Sequence, residues 1–313
     1  MKKIIALTLL FTLLCLSLAS CAGPADNTPA NIGVMSGPTG MGMAKLMEDN
    51  KNSADKYTFE IYNAPTTATS DLLNGTLDML CLPTNTAATL ASKNPDTITA
   101  IAINCLGSLY LMTDASTTVT SISDLDGKTI YASVPSSTTG PIIEYILKEN
   151  GVSANVEFEA DHDALVSKVV KGEAPIVVLP EPKATAALLQ SQGYAIDLNL
   201  STEWDKVSDE PLTMGCIVVR NDFLAEHKSV VDRFLEEYED SIEFIGDEEN
   251  LDVAAEMIYN NAVLPQLPIA KKSLKNLYGS IVYIDGDDMK DALIGFYTAI
   301  GQALPGDDFY YEG

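Results

Sequence analysis

Four short stretches of this chain carry side chains suited to holding a small molecule. They are Ser36-Gly37-Pro38-Thr39-Gly40, Ala64-Pro65-Thr66-Thr67, Pro83-Thr84-Asn85-Thr86 and Ser136-Ser137-Thr138-Thr139-Gly140. Each mixes hydroxyls or small residues with glycine or proline, the composition of a turn that opens a helix. The first turn of a helix leaves backbone N–H groups unpaired and carries a partial positive charge. Such turns can receive an anion or a carbonyl oxygen. The candidate ligand contacts are Ser36, Gly37, Thr39, Gly40, Thr66, Thr84, Asn85, Ser137, Thr138 and Thr139. The plainer role of Ser and Thr at such places is capping, and that of Gly is turn geometry. Glu181, in Pro180-Glu181-Pro182, is one more candidate. Its carboxylate suits a cationic or N–H donor group, or serves only as a first-turn helix acid.

Reactive chemistry is thinly represented. The two histidines, His162 in Asp161-His162-Asp163 and His227 on an acidic stretch, read as surface residues. Neither stands beside a nucleophile or a Cys-rich motif, so no catalytic residue, metal ligand or cofactor is expected. Beyond residue 21 the cysteines are Cys81, Cys105 and Cys216, all in apolar surroundings. An odd number cannot pair fully within one chain, and buried free thiols are the expectation, with one disulfide left open. Arginine occurs only as Arg220, at a strand end near acids, and Arg233, on the acidic stretch and read as a surface residue. Trp204 is the single tryptophan. It can stack on a planar ligand or pack in the core.

The elements that must position these turns alternate. Short apolar runs at 32–35, 57–62, 79–82 and 98–103 read as strands, with helices between them over about 40–49, 66–74 and 83–92. A small, polar stretch at 113–123 then reads as a crossing between lobes. The alternation repeats as a second unit, with strands at 129–132, 156–158 and 176–179 and helices over 138–150, 161–171 and 182–192. A second crossing is expected at 208–211 and a strand at 212–220. Asp222 then caps a long helix whose Leu224, Val231, Phe234, Leu235, Tyr238, Ile242 and Ile245 keep helical spacing. Three more helices are expected, over 252–260, 268–278 and 287–304. The prediction is an α/β layer architecture with lobe A at 31–113 and 211–313 and lobe B at 114–210. A cleft between two lobes is a natural place for a small ligand.

The N-terminus reads as an export signal. Lys2 and Lys3 precede an apolar run over 4–18, followed by Leu18-Ala19-Ser20-Cys21. The run is shorter than the ~20 apolar residues of a membrane span. Residues 1–20 are expected to be removed, and 21–30, small and polar with Pro24 and Pro29, to form a tether. Leu-Ala-Ser-Cys resembles the bacterial lipobox, which implies lipidation at Cys21 and an extracytoplasmic protein held to the membrane by lipid. The net charge of −25 argues against nucleic acid and against close approach to an anionic membrane, and says little about the ligand.

Four segments together carry a family likeness. They are 32–42; 71–80 (Asp-Leu-Leu-Asn-Gly-Thr-Leu-Asp-Met-Leu); 123–130 (Ser-Asp-Leu-Asp-Gly-Lys-Thr-Ile); and 215–224 with 230–235. In this order the chain resembles the NMT1/THI5-like and SsuA/TauA-type substrate-binding proteins of ABC transporters. The likeness implies the two-lobed periplasmic-binding-protein type II fold: in each lobe a mixed, mainly parallel sheet flanked by helices, joined by a two-crossing hinge. It also implies a monomer that binds a small solute and partners with permease and ATPase subunits. It places ligand contacts on turns like the first, third and fourth. Sulfonate and nitrate receptors of this kind often use a cationic side chain, which is scarce here, or helix N-termini, which remain open here. A neutral or zwitterionic organic solute, including a heterocycle, therefore ranks above an oxyanion. Enzymes of the THI5-like and menaquinone-biosynthesis types share the fold, as do sensory ectodomains. The export signal and the missing catalytic constellation set the enzyme below a binding protein.

Overall fold

The computed structural model describes residues 26–51, 56–133 and 138–313. The signal segment, Cys21, Ser136 and Ser137 lie outside the described residues. The first unit runs β1 (Ala30–Met35), α1 (Pro38–Met41), α2 (Ala44–Asn50), β2 (Tyr57–Tyr62), α3 (Pro65–Leu73), β3 (Met79–Pro83), α4 (Thr84–Lys93) and β4 (Ile98–Leu106). The second runs β5 (Leu109–Asp114), β6 (Thr129–Ser133), α5 (Thr139–Glu149), β7 (Asn155–Glu159), α6 (His162–Lys171), β8 (Ile176–Pro180), α7 (Lys183–Gln190), β9 (Tyr194–Asn199) and α8 (Leu200–Trp204). The chain then returns with β10 (Thr213–Arg220), α9 (Asn221–Glu226), α10 (Lys228–Gly246), α11 (Leu251–Asn260), α12 (Leu267–Asn276), β11 (Ile281–Ile284) and α13 (Gly286–Ala299).

Two mixed sheets result, one of six strands in the order β11-β4-β10-β3-β1-β2 and one of five in the order β7-β6-β8-β5-β9. β1 pairs parallel with β2 and β3, while β10 lies antiparallel between β3 and β4. β6 pairs parallel with β7 and β8, and β5 lies antiparallel between β8 and β9. This is the two-lobed α/β fold that the alternation implied. β5 belongs to the second sheet, so the change of sheet falls at Gly107-Ser108, ahead of the 113/114 boundary. An all-buried strand, Leu109 to Thr113, reads as a continuous apolar run; nothing in its composition says which sheet it joins.

Local signals explain several boundaries. The Asp161 carboxylate accepts from Ala164 N at 2.7 Å and starts α6, which ends at Gly172 in the left-handed region, φ 72°. The long helix expected from Asp222 is instead α9 and α10, broken at His227. The last helix stops at Ala299. Within the stretch 21–30 expected as a tether, the described residues Asp26 and Ala30 are attached to lobe A. Ala30 pairs with Tyr57. The Asp26 carboxylate meets His227 Nδ1 at 2.8 Å and its carbonyl accepts from Arg233 Nη1 at 2.8 Å. Both side chains are therefore half-buried rather than free surface groups.

The core is continuous from the first sheet into one face of the second, while Leu165, Val166, Val169, Val177 and Leu179 build a separate cluster on that sheet's other face. Trp204 is fully buried where the two lobes meet. Its ring lies 4.7 Å from Tyr145 on α5 and 5.7 Å from Phe296 on α13, and Nε1 donates to Glu210 O at 2.7 Å. Packing, not ligand stacking, is its role.

Candidate ligand-binding cleft

The strands of both sheets end toward one another, and a cavity of about 240 Å³ opens there. One wall is Met35, Ser36, Pro38, Thr39, Asn63, Pro83, Cys105 and Met214 from lobe A. The other is Ser108, Thr138, His162, Pro180, Glu181, Pro182 and Lys183. A larger depression, about 440 Å³, lies beside Ala303–Phe309, but lobe A alone walls it. The cleft alone among the described cavities joins turns of both lobes, the usual site in open α/β sheets.

Ser36, Thr39, Thr138 and Glu181 are brought together on this cavity. Gly37 and Gly40 shape their turn. Gly37 has φ +116°, and a Cβ on Gly40 would stand 2.1 Å from Met35 O, so neither position accepts a side chain. Thr66 is exposed and does not line the cavity. Thr84 is buried, its Oγ1 donating to Thr213 O at 2.9 Å. Asn85 is half-buried beside it and also stands off the cavity wall. Thr139 is buried behind His162, 3.5 Å from Nε2.

The charged groups of the cleft are already engaged. Lys183 Nζ pairs with Asp163. Glu181 is 1% exposed. Its Oε1 accepts from Thr185 Oγ1 (2.9 Å) and Asn276 Nδ2 (2.6 Å), and its Oε2 from Ser273 Oγ (3.0 Å) and Thr185 N (3.2 Å). The neutral groups are not all engaged. Ser36 Oγ donates to Val263 O at 2.9 Å. By contrast Thr39, Asn63, Ser108 and Thr138 line the cavity with side-chain polar atoms that have no partner among the described residues. Ser108 and Thr138 are 2% and 8% exposed, so their hydroxyls are open to water or to a guest in the cleft.

His162 corrects the surface reading of the sequence. It is half-buried on the cleft wall, with Nε2 2.9 Å from Ser133 Oγ. Burial pushes its imidazole below the ordinary value, the Lys183 charge adds to this, and Asp163 and Asp161 oppose it. Cys105, also on the wall, is held protonated, its thiol pushed up to about 12 by burial. Cys81, Cys105 and Cys216 are all free and buried. Neither arginine reaches the cleft: Arg220 forks onto Asp222 with two 2.8 Å bonds, and Arg233 holds Asp26. Sequence reasoning missed Ser108, which sits in a stretch without a helix-start signature, and Asn63, which stands just ahead of the Ala64-Pro65-Thr66-Thr67 turn that carries one. His162 did carry such a signature, since it opens a helix after a strand as the other turns do.

The matching family is described as "ABC transporter, phosphonate, periplasmic substrate-binding protein", and the match spans residues 49–260. The chain belongs to this family. No curated protein matches it in sequence. Among solved structures, an ABC transporter protein from Parabacteroides distasonis superposes with a TM-score of 0.74 at 20% identity, over 91% of this chain and 99% of that one. The aliphatic sulphonate binding protein SsuA of Escherichia coli gives 0.69 at 13% identity, over 93% and 95%. The nitrate-binding protein NrtA of Synechocystis PCC 6803 gives 0.62 at 14% identity, over 85% and 76%. These likenesses establish the fold that the family shares. Members are periplasmic substrate-binding proteins of ABC transporters. No helix among the described residues is long and apolar enough to cross a membrane.

Proposed function

We propose that this substrate-binding protein captures a neutral or zwitterionic organic solute, such as a polar heterocycle, between its lobes and delivers it to an ABC permease. One observation carries the reading. The unpartnered polar groups of the cleft are the neutral side chains of Thr39, Asn63, Ser108 and Thr138, whereas its one lysine and one carboxylate are engaged within the protein. Met35, Met214 and four prolines supply apolar area against a ring or carbon skeleton. Contacts with both lobes exist together only when the cleft is closed, so the solute shifts the hinge toward closure. Binding, not turnover, is the activity.

A phosphonate is the second reading, favoured by the family match and by Lys183 beside His162. A thermal-shift screen decides between them, because a ligand of the native state alone raises the melting point by mass action, about 2.7 kcal/mol at a hundred times Kd. Heterocycles and zwitterions should give the hits, and calorimetry should confirm them. Tight binding of phosphonates, sulfonates or nitrate with none of heterocycles would reverse the ranking.

Leu18-Ala19-Ser20-Cys21 supports a lipid anchor on Cys21, extracytoplasmic at the cell membrane. Mass spectrometry of the membrane-bound protein should find a diacylglyceryl-modified Cys21 as the first residue, and C21S should release the chain. An unmodified N-terminus would refute the anchor.

A further inference from the structure

Glu181 lies on the floor of the cleft, yet neither of its oxygens is available to a guest. The residue belongs to lobe B, in the turn between β8 and α7. Two of its four hydrogen bonds come from lobe A: from Ser273 Oγ at 3.0 Å and Asn276 Nδ2 at 2.6 Å, both on α12. The same end of α12 is tied again, because Tyr110 Oη, on β5 of lobe B, donates to Asn276 O at 2.8 Å. Glu181 N donates to Ser108 O at 2.8 Å, and Ser280 Oγ donates to Gly107 O at 2.8 Å, which fastens both sides of this contact to the first crossing. Ser273 and Asn276 do not line the cavity.

We propose that Glu181 is a positioning residue for capture: it latches α12 of lobe A to the β8–α7 turn of lobe B and so sets the separation of the cleft walls before a solute arrives. A buried carboxylate with all its acceptor sites filled is strongly held; removing it strands Thr185 N, Thr185 Oγ1 and Ser273 Oγ, and leaves Asn276 Nδ2 only its longer 3.4 Å bond to Thr185 Oγ1. The lobes gain freedom at the crossing when those donors turn to water. A cleft that opens more often binds its solute with an affinity reduced by the fraction of molecules still competent. The inference rests on the reading of the cleft as the capture site, and it assigns Glu181 to preorganising that site rather than to touching the solute.

The lobe-to-lobe distance of the solute-free protein tests the latch. T67C and S167C place spin labels at exposed positions on α3 and α6, with C15S and C21S removing the N-terminal thiols. Cys81, Cys105 and Cys216 stay unlabelled, since burial keeps their thiols protonated. E181A should lengthen and broaden the distance distribution, measured well below the melting temperature. S273A/N276A, which leaves the cleft lining and Glu181 intact, should do the same and decides the matter if E181A does not fold. E181Q, which keeps one acceptor oxygen, should fall between wild type and E181A. An unchanged distribution in S273A/N276A, or in a folded E181A, overturns the latch. No solute enters this measurement, so its failure leaves the capture reading standing, and a barren ligand screen leaves the latch standing.

Discussion

In lobe A the order β2-β1-β3 is parallel and continues antiparallel into β10 and β4; in lobe B the order β7-β6-β8 is parallel and continues antiparallel into β5 and β9. Each antiparallel insert, β10 or β5, stands directly beside a crossing between the lobes. The turn after the third parallel strand then differs. In lobe A, Thr84 faces inward: it donates to Thr213 O, and Tyr297 Oη donates to its carbonyl at 3.0 Å, all within the lobe. In lobe B, Glu181 reaches out of its lobe to Ser273 and Asn276. One topology thus puts the same turn to packing in one half and to coupling in the other.

The largest effect should come from the residue the halves share. W204A removes a fully buried ring packed on both α5 and α13, and should cost about 3–5 kcal/mol in denaturant unfolding. A loss under about 1 kcal/mol would mean that the lobes do not depend on this contact. Next, T84V leaves Thr213 O unpaired in the core and should cost about 1–3 kcal/mol. It should leave the lobe-to-lobe distance unchanged, and any lengthening would erase the contrast with Glu181. T138A, in the wall of the cleft, should weaken a confirmed solute about tenfold by calorimetry, roughly 1.4 kcal/mol, with little change in melting temperature.

The smallest effect concerns acid. His162 is held neutral by burial first and by Lys183 second, below its ordinary 6.5. The unfolded chain therefore takes up the proton before the folded one does. The stability due to this group is present above about pH 6.5 and is lost as pH falls through the depressed folded value. H162Q should flatten that part of a melting-temperature profile, and an identical slope in wild type and H162Q would contradict the assignment. Asp26, held down to about 2 by its bond to His227, contributes stability above its ordinary 3.8 that fades only as pH falls toward 2.

Much of the fold was legible because period and punctuation agreed. The runs that became β1, β2, β3, β6 and β8 are apolar and bounded by turn residues, and Asp161 and Gly172 marked the ends of α6 in advance. β5, β9 and β11 were not legible. β5 lies flush against the crossing with no turn signal to separate it from β4 but Gly107-Ser108, and the short β11 has only a partly buried face. At the cleft, the helix-start signature found Ser36, Thr39 and Thr138 because backbone chemistry there is local. It could not separate them from Thr66 or Thr84, which have the same local signature but face solvent or core. The fate of Glu181 was hidden for another reason: its partners lie 92 and 95 residues away, on a helix that nothing in the local sequence connects to it.

The most direct measurement is a crystal structure of the protein with the first solute shown by calorimetry to bind it. The account predicts electron density for that solute between the lobes, hydrogen-bonded to Thr39, Ser108 and Thr138, with Glu181 still joined to Ser273 and Asn276. A solute seated outside the cleft, or held in it by Glu181 alone, would contradict it.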